Sequence, residues 1–138
     1  MPQYTTGGRY NNLLTNEVLE HSVALTPAPV TTGGAVASIA NPFGFDVFIL
    51  RAVLDVTNVS TGVATVDVGV AANGTTTNDT LIDGKDVNAA TGTFDNITDK
   101  GTNGKATRKW STTQFVTATA SASVAGLAGT LTLVCVRA

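Results

Sequence analysis

Alternating side chains between Val63 and Ala71 constrain the fold of this chain more than any other feature of its sequence. Successive side chains of a β-strand point to opposite faces, so a period of two with one apolar set predicts a half-buried antiparallel strand. The apolar set is Ala64, Val66, Val68 and Val70, and the opposite set is Val63, Thr65, Asp67 and Gly69.

The composition extends this prediction to the whole chain. Thr and Val dominate, and both are β-branched, which suits a pleated strand better than a helix. Hydrophobic residues make up 43% of the 138 residues and charged residues only 13%. A chain of this length is typical of one domain that buries a core without disulfides. We therefore expect a single all-β domain with a neutral, polar surface.

Further strand patterns run along the rest of the chain. Residues 45–57 are nearly all apolar and could form one long bent strand or two, and we expect them to pair with residues 63–71 as a β-hairpin. Residues 72–113 are polar with recurring apolar pairs, which indicates short strands joined by long loops. Together these patterns predict a single antiparallel β-sandwich, jelly-roll-like, with about seven or eight strands. The remaining predicted strands cover residues 17–25, 35–40, 115–121 and 127–136.

Residues 1–16 differ from the rest, because they are rich in Gly, Asn and Thr and have no strand or helix periodicity. We expect an extended N-terminal arm that could lie across a neighbouring subunit, followed by the sandwich domain over residues 17–138. The chain begins without the charged and apolar regions of a secretory signal, so we expect a protein that is soluble when made and is not exported by a cleaved signal. The candidate interface residues are Tyr4, Arg9, Tyr10, Leu13, Leu14 and Trp110.

Residue types that carry chemistry are scarce. His21 is the only histidine and Cys135 the only cysteine, and Cys135 lies in an apolar run that favours a small buried side chain. A catalytic triad or a histidine zinc site therefore lacks partners, and we expect no enzyme, no catalytic residue and no cofactor. Five acids share one polar stretch, where solvated turn carboxylates are the favoured interpretation and Ca²⁺ bound between subunits is the alternative. They are Asp79, Asp83, Asp86, Asp95 and Asp99.

Charge and hydropathy exclude two partner classes. The net charge is −2, and phosphate binding needs a concentrated basic face, so we expect no nucleic-acid partner. No apolar run approaches the roughly 18 residues that span a bilayer, so we expect no membrane partner. A sugar-stacking platform is an alternative to core or interface roles for the aromatic residues. Those residues are Tyr4, Tyr10, Phe94, Trp110 and Phe115.

Several segments of the chain resemble small proteins encoded among the head genes of tailed bacteriophages. The resemblance covers about residues 41–138. It implies a head decoration protein, which is a small β-sandwich, often a homotrimer, made in the host cytoplasm. Such a protein lies on the outer surface of the virion and binds the major capsid protein. The family has no catalytic residues. A virion fibre, spike or host-binding module that recognises glycans is the alternative function. The matching segments are residues 41–47, the alternating strand at 63–70, and residues 81–84 through 95–101.

Overall fold

The computed structural model describes residues 17–27 and 32–138. The predicted N-terminal arm lies outside the described residues, together with Tyr4, Arg9, Tyr10, Leu13 and Leu14. The described part of the chain contains nine β-strands, and no helix in it is long and apolar enough to cross a membrane. The strands are β1 (Val18–Ala24), β2 (Gly34–Ala40), β3 (Val47–Asn58), β4 (Thr65–Ala71), β5 (Ile82–Asp86), β6 (Gly92–Asp95), β7 (Arg108–Trp110), β8 (Phe115–Ala120) and β9 (Ala128–Arg137).

The strands form two antiparallel sheets. Sheet A has the order β1-β9-β3-β6, with β7 also paired to β3, and sheet B has the order β2-β8-β4-β5. The pairs are nested: β1 with β9, β2 with β8, β3 with β6, and β4 with β5. Successive pairs alternate between the sheets, which is the winding of a jelly roll. The predicted all-β, jelly-roll-like sandwich is therefore confirmed, with β7 as an added short strand.

Apolar side chains from both sheets meet in one core between them. Sheet A contributes Ile49, Leu54 and Leu133, and sheet B contributes Val66 and Val68, all fully buried. The apolar set predicted between Val63 and Ala71 thus faces inward. Close packing of these side chains is the main source of stability in a fold that has few charges.

The predicted β-hairpin of residues 45–57 with residues 63–71 is wrong, because β3 belongs to sheet A and β4 to sheet B. The segment between them crosses the sandwich: Ser60 N donates to Val87 O at 3.0 Å, and Thr61 N donates to Ala125 O at 2.9 Å. β3 and β4 each bury one face in the shared core. They can do so from opposite sheets, because the core lies between the sheets. Apolar alternation indicates a buried face but does not identify the neighbouring strand.

Candidate functional site

A β-bulge in β3 changes which of its side chains face solvent. Ile49 pairs with Cys135 and Arg51 pairs with Val134, so Leu50 is an extra residue on the β3 side of the ladder. Ile49 is buried, whereas Leu50 and Arg51 are both exposed. The bulge therefore directs an apolar and a cationic side chain to the outer face of sheet A, where strict alternation would allow only one of them.

Apolar side chains form a continuous group on this outer face, at the end of sheet A where β1 begins. In the ladder, Val136 lies between Val18 and Phe48, which places all three side chains in contact range. Val18 is 64% exposed, Phe48 40% and Leu50 38%. Contiguous exposed apolar side chains mark interaction surfaces more often than scattered ones do. We call this group the apolar patch; it consists of Val18, Phe48, Leu50, Val134 and Val136.

Charged side chains border the apolar patch. Arg51 Nη1 lies 3.2 Å from Asp95 Oδ2. Lys109 is paired with Phe48 in the ladder, and its Nζ lies 3.2 Å from Asp46 Oδ2. Such exposed ion pairs add little to stability. An apolar centre with a polar border is instead the arrangement of a protein–protein interface.

The outer edge of β1 adjoins the apolar patch. β1 pairs with β9 over all seven of its residues without a register shift, and its other edge has no strand partner among the described residues. The edge strands of sheet B are less regular, because the ladder of β2 shifts between Ala35 and Ala37 and that of β5 shifts opposite Val66 and Val68. Bulges protect an edge from adding another strand. The regular β1 edge lacks that protection and can accept an extended segment of a partner.

Trp110 lies in the core and not at an interface. Its side chain is fully buried, its Nε1 donates to the carbonyl of Gln114 at 3.0 Å, and Phe43 packs edge-on with the ring centroids 6.2 Å apart. A buried indole presents no surface to a partner or a sugar, so the predicted interface role of Trp110 is wrong. The core alternative is what the structure has.

The other described members of the predicted sugar platform lie apart. Phe94 is on β6 of sheet A and carries the Lys85 ammonium 3.9 Å above its ring. Phe115 is on β8 of sheet B. The structure therefore brings no two of Phe94, Trp110 and Phe115 onto one exposed face.

The acids of residues 79–99 stabilise turns. Asp95 Oδ1 accepts hydrogen bonds from the backbone of Ile97 and Thr98, each at 2.8 Å, and the hydrogen bond from Thr98 is the largest cause of the lowered pKa of Asp95. Asp86 Oδ1 accepts in the same way from Asn88 and Ala89. Within residues 17–27 and 32–138, no three acidic, histidine or cysteine side chains are grouped to hold a metal ion. The turn interpretation accounts for these contacts.

Cys135 and His21 take different positions in sheet A. Cys135 is fully buried, and burial raises the pKa of its thiol to about 12, which confirms the prediction of a small buried side chain. His21 is half-buried on β1 and pairs with Leu133. It lies on the same face of β1 as Leu19 and Val23, which pack against the core.

The sequence analysis treated residues 45–57 as a nearly all-apolar strand segment and did not single out Phe48 or Leu50 as surface residues. One signal could have found them. Charged side chains of a strand face solvent, yet Arg51 lies five positions after Asp46, an odd offset that would put the two on opposite faces. Arg51 and Asp55 are four positions apart and keep the same phase. A change of phase between charged positions indicates a bulge, and here it lies at Leu50.

The comparisons with known proteins contribute no relative. No protein-family model, no curated protein and no solved structure matches this chain. A proposal of function therefore depends on the surface geometry and on the resemblance described above.

Proposed function

We propose that this protein is a structural protein of a tailed-phage virion. In this proposal it decorates the outer surface of the capsid and stabilises it by binding the lattice of the major capsid protein. The observation that carries the proposal is the apolar patch beside the open edge of β1. The resemblance to head proteins supplies the partner.

The patch has the chemistry of a docking surface. Phe48 and Leu50 present an aromatic and an aliphatic side chain to solvent, and aromatic side chains contribute strongly to interface energies. Arg51 and Lys109 at the border can form hydrogen bonds that fix orientation while the apolar centre supplies affinity. Few charges elsewhere limit nonspecific attraction to nucleic acid inside or outside the virion.

The open edge of β1 adds a second mode of contact. An extended segment of the capsid protein would pair with β1 through main-chain hydrogen bonds, and alternate side chains of that segment would pack on Val18 and Val136. Residues 1–16 precede this edge directly in the chain. The arm predicted for them would start at the apolar patch and reach a neighbouring subunit.

Assembly of the protein into a homotrimer would increase its affinity for the lattice without any new type of contact. Linked binding sites act at a high effective concentration, so a trimer on a symmetric lattice dissociates more slowly than a monomer does. A ligand that binds only the assembled shell also stabilises that shell by mass action. Stabilisation of the capsid is therefore a direct consequence of lattice-specific binding.

The test is co-sedimentation of the purified protein with expanded capsids built from the major capsid protein of the same genome. We expect saturable binding and a rise in the temperature at which the capsid disrupts. The variant Phe48→Ser/Leu50→Ser should lose most of this binding. Val63→Ser is the matched control, because Val63 is 81% exposed but lies outside the patch.

Thermal unfolding of each variant separates a lost surface from a lost fold. Light scattering of the pure protein reports whether it is a trimer. A wild-type protein that folds but does not sediment with these capsids contradicts the proposed function. Equal binding by the patch variant would show that another surface makes the contact.

A further inference from the structure

A cleft of about 430 Å³ opens on the outer face of sheet B, on the opposite side of the sandwich from the apolar patch. The loop of residues 72–80 folds back over this face and covers the row of side chains formed by Ser38, Thr117 and Gly69. Thr117 Oγ1 donates to Thr76 O at 2.9 Å, and Ser38 Oγ donates to Gly74 O at 2.9 Å. A side chain at position 69 would collide with Asn78, so glycine is needed there.

The next outward row along the strands is left uncovered. It consists of Ala35, Thr119 and Asp67, which are paired across β2, β8 and β4. Thr75 and Thr77, in the middle of the covering loop, also line the cleft, as does Ser121. The volume lies within the range of about 300–1,000 Å³ found for small-molecule sites. The cleft is therefore a concave surface lined by hydroxyl groups and one carboxylate.

Thr119 has a hydroxyl without a partner. Its Oγ1 is shielded from water and makes no hydrogen bond with any described residue. Native proteins seldom leave a buried polar group unpaired, because its desolvation is then uncompensated. A ligand in the cleft could supply the missing partner after a rotation about χ1 that brings the hydroxyl to the cleft surface.

Asp67 supplies an acceptor on the same row. Its Oδ1 accepts a hydrogen bond from Gly84 N at 2.7 Å, and this is the one hydrogen bond that the described residues give to its carboxylate. Partial burial raises the pKa of Asp67, as do the nearby charges of Asp83 and Asp79 against the opposing effect of Gly84. A carboxylate that is costly to the fold and lines a cleft is a candidate for function.

The charges around the cleft restrict the ligand. No Lys or Arg is among its described lining residues, and Asp67 would repel an anion. The described residues also contain no cluster of ligands for a metal ion. Alcohol groups, by contrast, donate to a carboxylate and both donate to and accept from Thr and Ser hydroxyls.

We propose that this cleft binds an uncharged polyhydroxylated ligand of monosaccharide size, either a free sugar or the terminal sugar of a glycan. Asp67 accepts a hydrogen bond from at least one ligand hydroxyl. The Thr119 hydroxyl gains a ligand hydroxyl as its missing partner. Thr75 and Thr77 contact the exposed side of the sugar ring. This site is independent of capsid binding, because the apolar patch lies on the other sheet.

The test is an NMR titration of the isotope-labelled protein with methyl glycosides of several hexoses, and with phosphate and methylammonium as charged probes. We expect saturable shifts of the Asp67, Thr75 and Thr119 amides with at least one sugar, with a dissociation constant on the order of 1 mM. Phosphate and methylammonium should leave these amides unshifted. Glycans immobilised through their reducing ends distinguish the two ligands. Binding to these glycans indicates the terminal sugar of a glycan. Binding to soluble sugars alone indicates that an attached chain blocks entry to the cleft.

Thr119→Val is the sharpest variant, because it replaces an unpaired hydroxyl by a methyl group of the same shape. It should weaken sugar binding about tenfold while leaving the melting temperature unchanged or higher. Thr132→Val makes the same change on sheet A and should bind the sugar like the wild type. The proposal is overturned by the absence of saturable shifts with every sugar, by binding of a charged probe at the cleft, or by undiminished binding to Thr119→Val.

Discussion

Asn96 Oδ1 accepts a hydrogen bond from the backbone N–H of Ala52 at 2.8 Å. Ala52 lies in a gap along the edge of β3, between the part that pairs with β7 and the part that pairs with β6. Asn96 Nδ2 also donates to the carbonyls of Lys105 and Ala106, at 2.9 and 3.1 Å. One fully buried amide thus joins the two short strands to β3 and replaces the ladder that is missing between them.

Removing this amide should be costly. Asn96→Ala leaves one backbone N–H and two carbonyls without partners, and we expect the free energy of unfolding to fall by about 3 kcal/mol. Urea denaturation measures the change. Asn58→Ala is the matched control, because Asn58 is exposed and its side chain donates to one carbonyl, that of Gly126; we expect a loss of about 1 kcal/mol or less. Equal losses in the two variants would refute the bridging role of Asn96.

Truncation of Trp110 should cost far more stability than truncation of Phe48. Trp110→Ala removes a fully buried ring and its hydrogen bond, and should lower the free energy of unfolding by about 3–5 kcal/mol. Phe48→Ala removes a ring from the apolar patch, and should change it by about 0.5 kcal/mol. Denaturant titrations of both variants at one pH test the contrast. A large loss in Phe48→Ala would mean that its ring belongs to the core.

The strands could be predicted from the sequence because each carries its own signal. The alternation around Val66 and the alternation of Leu131, Leu133 and Cys135 with their neighbours both reflect one face against a core, and the structure has both. Pairing could not be predicted in the same way. β3 and β4 are adjacent in the chain, but their partners β9 and β8 come from its far end, and no local pattern encodes that contact.

Surfaces were harder to predict than strands. Leu50 and Arg51 both reach solvent because of a one-residue bulge, and Trp110 is buried by contacts with Phe43 and Gln114 that arise after folding. The cleft likewise needs the loop of residues 72–80 to fold over sheet B, which the glycine at position 69 permits. Asp67 was placed on the outward face of its strand by alternation alone, but its neighbour Thr119 comes from a strand about fifty residues later.

Cys135 should be unreactive in the folded protein. Burial raises the pKa of its thiol from 9.0 to about 12, so at pH 8 the thiolate fraction falls about a thousandfold. The thiolate is the reactive form, so modification by a chromogenic disulfide should require local or global unfolding of the protein. Rates measured in buffer and in denaturing urea give the comparison. Similar rates in the two solvents would place this thiol at the surface.

Asp67 should destabilise the folded protein at neutral pH. Its pKa is raised above the ordinary value of 3.8, mainly by burial, so the folded state binds the proton more tightly than the unfolded state does. The favourable contribution is therefore present below the unfolded pKa and is lost as the pH rises through the folded pKa. We expect Asp67→Asn to raise the urea midpoint at pH 7, with the gain disappearing in acid.

Asp95→Asn is the control of opposite sign for this pH dependence. The pKa of Asp95 is lowered, first by the hydrogen bond from Thr98 and also by the charge of Arg51, so its contribution to stability is present above the unfolded pKa and is lost as the pH falls through the folded pKa. Asp95→Asn should lower the urea midpoint at pH 7 and should match the wild type in acid. Urea titrations at several pH values compare both variants with the wild type. If Asp67→Asn were also less stable at pH 7, the Asp67 carboxylate would support the fold, and its place in the cleft would no longer need a ligand to explain it.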